Sequence, residues 1–250
     1  MLALLFFSFF SHAQIVCTHP QVCNLAQEIL VTQSKMKNVL PMNVDPHHFE
    51  PGIGQVKESL SAKILITAPI ELQPWLKNIL ETRKKKNLPT FVLKTLGQTD
   101  TLNAQAHFWM YPEVVCFNWM NLRMFLADQK LAVKSDDCVS PAKPSHSVDR
   151  IFILSHDALK PLLSKYAGQV IALKTSDHHA EILPSTLKLL TTLPDSEKVV
   201  WVMEKNIIIP DQIIKSYRKP HQSFLTFDLD GIIGERPHGR FLDLMKKIGL

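Results

Sequence analysis

The sequence has little glycine, few cysteines and, beyond its first ten residues, no long hydrophobic run. Eight glycines in 250 residues include no G-x-x-x-x-G-K or G-x-G-x-x-G segment, which removes the backbone cradles that hold nucleotide phosphates. No segment after the N-terminus is long and apolar enough to span a bilayer. No H-E-x-x-H pair of imidazoles is present, and no internal repeat is legible. The net charge of +5 reflects scattered solvated lysines, so no nucleic-acid partner is expected. The densest basic group, Arg83-Lys84-Lys85-Lys86, ends an amphipathic helix, where the helix dipole favours cations.

Residues 2–10 form an apolar run too short to cross a membrane as a helix, with no Lys or Arg before it. Ser11-His12-Ala13 then supplies a small-x-small cleavage pattern. The reading is a signal peptide over residues 1–13, with a buried first element as the alternative, and a mature chain in the periplasm. Cys17 raises lipid attachment, but Gln14-Ile15-Val16 lacks the small residues led by Leu that a lipoprotein signal uses, so free export is favoured. Four cysteines in an exported chain permit disulfides. Cys17 and Cys23 are close enough to join across a strand-to-helix turn, or to remain buried thiols. If residues 113–134 form one helix, Cys116 and Cys138 stand roughly 30 Å apart along it at 1.5 Å per residue, and that pair is not expected to bond.

After Ala13, short β-branched or aromatic runs alternate with helical periodicity, the pattern of parallel α/β architecture. Strands are expected at about 15–18, 38–42, 63–68 and 90–94, then at about 150–155, 169–173, 198–203 and 223–228. Helices are expected at about 20–34, 53–61 and 71–85, then at about 157–166, 181–193, 210–218 and 238–247. This gives two lobes, residues 14–111 and 146–250, each a four-stranded parallel sheet flanked by helices and built on its own small core. Residues 112–145 hold a connecting helix and loop: Pro112 opens an apolar spacing at Val115, Trp119, Leu122, Leu126 and Leu131, and a proline-rich loop follows.

Metal-capable side chains follow four of these strands: His47, His107, His156 and Asp228. In open parallel sheets ligands bind beyond the carboxyl ends of the strands, so these residues, two from each lobe, place a site between the lobes. Three imidazoles and a carboxylate form a borderline-soft N3O set that suits Zn2+ over Ca2+ or Mg2+. Asp230 competes with Asp228 as the carboxylate, although its position before Gly231 fits a turn role better. His48 points away from the site if His47 points in, and His178 and His179 read as a solvated loop. Trp109, Trp119 and Trp201 fall at apolar positions and read as core.

Asp45-Pro46-His47-His48-Phe49-Glu50-Pro51, His107-Phe108-Trp109-Met110-Tyr111-Pro112, His156-Asp157-Ala158-Leu159 and Phe227-Asp228-Leu229-Asp230-Gly231 resemble four motifs of one family. It is the zinc and manganese solute-binding proteins of ABC transporters, the ZnuA/TroA-like family, and residues 241–250 resemble its terminal helix. The resemblance implies that His47, His107, His156 and Asp228 bind the metal, with Zn2+ preferred to Mn2+ because the third ligand is His156. It also implies capture in the periplasm by a monomer and delivery to an inner-membrane ABC permease with an ATPase subunit. Tyr111 stands where the family has an acidic residue, the family's acidic His-rich loop is missing, and the interval from His107 to His156 is shortened. A non-transport zinc chaperone or sensor of the same fold is the first competing reading. The second is a zinc hydrolase with Asp228 or Glu50 as general base, but four protein ligands leave no position for an activated water.

Overall fold

The computed structural model describes residues 15–32, 34–41, 44, 49–95, 107–138, 148–174, 181–205, 207–227 and 244–249. Strands β1 (Ile15–Cys17), β2 (Met36–Asn38), β3 (Ile64–Thr67) and β4 (Thr90–Val92) form one sheet in the order β2-β1-β3-β4. Strands β5 (Val148–His156), β6 (Ala167–Lys174), β7 (Val199–Glu204) and β8 (Ser223–Phe227) form a second in the order β6-β5-β7-β8. Every pairing is parallel. In both sheets the second strand lies outside the first and the third on its other side, so each sheet has its topological switch beside its first strand.

Among the described residues the helices are α1 (Pro20–Ile29), α2 (Ile53–Ser61), α3 (Leu76–Lys85), α4 (Pro112–Asp128), α5 (Lys160–Leu163), α6 (Pro184–Thr191) and α7 (Asp211–Tyr217), and residues 244–247 are helical as well. Among the described residues no helix is long and apolar enough to cross a membrane. The sequence boundaries hold best where the period is unbroken, as in α2. They err where an apolar residue lies just beyond an element. The expected strand at 38–42 is Met36–Asn38, because Val39 and Leu40 are buried after the ladder has ended.

The expectation of one core per lobe is corrected by how the strands distribute their side chains. Ile15 and Cys17 of β1, Phe152 and Leu154 of β5, and Val200 and Val202 of β7 share one apolar cluster with α1 and α4. The alternate residues face outward into separate clusters, Val16 and Leu65 in the first lobe, Ile153 and Trp201 in the second. A parallel sheet is buried on both faces. Here the two inner faces merge into a core that runs from one lobe to the other, so neither lobe is complete alone.

The helix expected to run to residue 134 stops at Asp128. Lys130 takes a left-handed conformation at φ 62°, its N–H bonds the Ala127 carbonyl, and the Leu131 N–H reaches back to Leu126 at 3.1 Å. This is the Schellman arrangement, which closes a helix by satisfying its last carbonyls. The chain then runs back: Val31 N–H bonds the Ala132 carbonyl at 3.0 Å and Lys134 N–H the Ile29 carbonyl at 2.8 Å. Arg123 holds the returning strand by its Ser135 and Asp136 carbonyls. Cys138 is thereby carried to Cys116, and the two form a disulfide with their Cα atoms 5.3 Å apart. The pairing excluded by a continuous helix is thus made by a reversed one. Cys17 and Cys23 remain buried thiols; Cys17 lies 3.8 Å from the Met36 sulfur, and burial, reinforced by Cys23, pushes its pKa up.

Arg83 fixes the outer side of the first lobe. It is fully buried and donates to the Ser59, Leu60 and Ala62 carbonyls at the end of α2, to the Pro89 carbonyl, and to the Thr90 hydroxyl. A helix C-terminus offers unpaired carbonyls and partial negative charge, so a guanidinium is satisfied there without a carboxylate. Burial lowers its pKa, yet an arginine stays charged. Arg83→Ala is expected to cost about 3 kcal/mol, a Tm fall of roughly 6–12 °C for a chain of this size, with Arg83→Lys recovering only part. Calorimetry decides it, and a fall below about 2 °C would show that those carbonyls find other partners.

The disulfide makes its own prediction. A thiol assay on the denatured, unreduced chain should find two reactive cysteines, and four after reduction, with peptide mapping linking Cys116 to Cys138. Cys138→Ser is expected to cost about 2–4 kcal/mol. Four reactive thiols before reduction would remove the bridge.

Candidate metal centre

The segment leaving the first lobe brings His107 to the second. After β4, the Asn118 side chain of α4 bonds both the N–H and the carbonyl of Lys94 at 2.8 Å, fixing where the chain leaves the sheet. His107 precedes a single 3-10 turn, Phe108–Met110, closed by the Met110 N–H on the His107 carbonyl at 2.9 Å. Pro112 then starts α4, where its missing N–H costs nothing. The Tyr111 hydroxyl crosses to the second lobe and donates to the Ala158 carbonyl at 3.2 Å. Burial first, then the charge of Asp157, raises its pKa well above the usual phenol value, so it stays a donor. The residue that departs from the family motif therefore tethers the lobes.

His156 is the last residue of β5 and is fully buried. His107 is 5% exposed. Their rings meet at a centroid distance of 5.4 Å, inclined by 68°. Of the four sequence candidates, these two are brought together, one from each side of the lobe boundary. His47 and Asp228 lie outside the described residues, as do His48, His178, His179 and Asp230. Phe227, immediately before Asp228, pairs with Glu204 in the β7–β8 register. Among the described residues no group of three or more His, Cys, Asp or Glu is arranged to hold an ion; of the candidate centre, the described portion is the imidazole pair. Glu50, the alternative general base, is exposed.

Three further residues lie near the pair, and two of them, Glu204 and His19, carry no motif signal. Glu204 closes β7, is 9% exposed, and sets its Oε1 2.5 Å from His156 Nδ1. Its own N–H donates to the Ser155 hydroxyl at 3.1 Å. His19, the N-cap of α1, accepts the Gln21 N–H on Nδ1 at 3.2 Å and stacks on Trp109 at 4.8 Å. Trp109, read as core, is buried as expected, and it also lies edge-on to His107 at 5.2 Å, walling the imidazole pair on that side. A carboxylate ending an apolar strand was a readable signal for Glu204, since such a group is buried only with a partner. His19 lies two residues beyond the carboxyl end of β1, and was readable on that ground.

These features define a class: two parallel α/β lobes bridged by a helix, with imidazoles meeting at their boundary. Residues 15–117 match the family model of the zinc-uptake complex component A, periplasmic. No curated protein matches the chain. Among solved structures, the laminin-binding protein Lmb of Streptococcus agalactiae is similar at a TM-score of 0.68 and 16% identity, covering 94% of this chain and 99% of that one. The Zn(II)-bound ZnuA-like domain of Streptococcus pneumoniae AdcA gives 0.65 and 18%, with coverages of 94% and 98%. The periplasmic zinc binding protein TroA from Treponema pallidum gives 0.60 and 14%, with coverages of 94% and 97%. The resemblance read from the motifs is thus borne out, in the family model over the first lobe and in the fold over nearly the whole chain.

His107→Ala and His156→Ala should each weaken zinc binding by more than about a hundredfold, since even outer-shell partners are worth roughly 10–100-fold. His48→Ala, His178→Ala and His179→Ala should change it little. Chelator competition on the purified variants measures this, and a silent His107→Ala would remove the centre from the lobe boundary.

Proposed function

We propose that the chain is an exported solute-binding protein that captures Zn2+ between its lobes and passes it to an inner-membrane ABC permease with an ATPase subunit. The observation that carries this reading is the cross-lobe meeting of His107 and His156, buried behind Trp109. Either lobe alone offers too few ligands for a closed shell, which takes four in zinc sites. His47 and Asp228 are the proposed remaining ligands. A closed shell of protein donors holds the ion without activating water, so binding rather than turnover is the task. The Cys116–Cys138 bridge suits an oxidising compartment, which supports export independently of the N-terminal residues. The family model matched over residues 15–117 supports the same assignment.

Imidazole-rich sites favour zinc over manganese along the Irving–Williams order. The protein should bind about one Zn2+ per chain and prefer it to Mn2+ in a competition titration. Zinc at a hundred times its Kd should stabilise the fold by about 2.7 kcal/mol, visible as a rise in Tm. Equal or tighter Mn2+ binding would overturn the metal assignment. Restoration of zinc uptake in a strain lacking its own binding component would separate transport from a chaperone role.

A further inference from the structure

We infer that Glu204 is a positioning residue for metal capture: it holds the His156 imidazole through Nδ1 and reserves Nε2 for the ion. This rests on the reading of His156 as a ligand. In the second sheet the order β6-β5-β7-β8 puts the topological switch between β5 and β7, where ligands of open parallel sheets gather. His156 ends one of those strands and Glu204 the other. The ladder pairs Leu154 with Val202, so two residues further on the two side chains stand level at the carboxyl edge. Their contact at 2.5 Å therefore follows from strand register and does not depend on a loop.

A carboxylate is seldom buried without a partner, because desolvation disfavours its charge. Glu204 ends a strand of otherwise apolar residues, and its main chain is tied to Ser155, the neighbour of His156, through the N–H to hydroxyl bond. Both the side chain and the backbone of Glu204 thus act on the end of β5. An imidazole whose Nδ1–H is given to a carboxylate has its tautomer and ring plane fixed, and its other nitrogen becomes a more basic donor. Metal-binding histidines commonly carry such a partner, and its loss costs about 10–100-fold in affinity.

The test uses the full chain with Glu204→Ala, Glu204→Gln and Glu204→Asp. In the metal-free protein, nitrogen-resolved NMR of the histidine rings, with His156 assigned by the signal lost in His156→Ala, should show the Nδ1–H tautomer in the wild type. Glu204→Ala should lose that preference and bind zinc about 10–100-fold more weakly in chelator competition. Glu204→Gln should fall between, since its amide oxygen still accepts from Nδ1–H but brings no charge, and Glu204→Asp should be weakened by its shorter reach. A folded Glu204→Ala chain with an unchanged tautomer and affinity within about threefold of wild type would overturn the proposal, the loss expected of such a partner being tenfold or more. If Glu204→Ala does not fold, wild-type affinity in Glu204→Gln overturns it equally. Should the wild type bind no zinc, metal capture fails as a function, while the tautomer in the metal-free chain still decides whether Glu204 sets His156.

Discussion

The structure depends on the burial of both faces of two parallel sheets. Each strand must place alternate side chains against different layers, and the inner layers of the two sheets are the same layer. Fully burying a large apolar side chain contributes roughly 1.5–3 kcal/mol. Trp109, Phe108, Phe152 and Leu154 all contribute to this common cluster, so packing holds the lobes together before any ion is bound. His107 and His156 ride on the elements that supply those residues. The distance between the imidazoles is therefore set by apolar packing, and the polar contact of Tyr111 with Ala158 fixes its fine register.

That arrangement explains what was legible in the sequence. Both-face burial writes short, nearly continuous apolar runs, so the eight described strands could be located to within a few residues and the two-lobe parallel order followed from their alternation with helices. His156 could be named because it falls at the carboxyl end of such a run, and His107 because the next metal-capable motif follows the β4 run after a longer connection. Legibility failed where a local rule was met by an unusual residue. Leu131 continues the apolar content of α4 although it lies five residues beyond Leu126, off the helical face, and the left-handed position that ends the helix is filled by Lys130 rather than glycine. No composition signal marks such a stop, and the Cys116–Cys138 pairing was lost with it.

Glu204 and His19 failed for a different reason. Their roles come from neighbours distant in sequence, Glu204 from a strand that precedes it by a crossover and His19 from Trp109 across the first lobe. Motif spacing registers residues that are close in the chain. Sheet order registers those that are close in space, and it was the switch beside β5 that made Glu204 significant.

The cysteines impose a condition on how the chain reaches this state. Emerging N-terminus first, Cys17 and Cys23 are available to each other well before Cys116 and Cys138 appear, yet only the later pair is joined. In an oxidising compartment thiolates are the reactive form, and burial suppresses them. In the folded chain both first sulfurs are buried, Cys17 against the strand carrying Met36, which keeps an oxidant from them. One bridge is made where four cysteines offer six possible pairs, and the packing around the other two sulfurs acts as the guard of their chemistry.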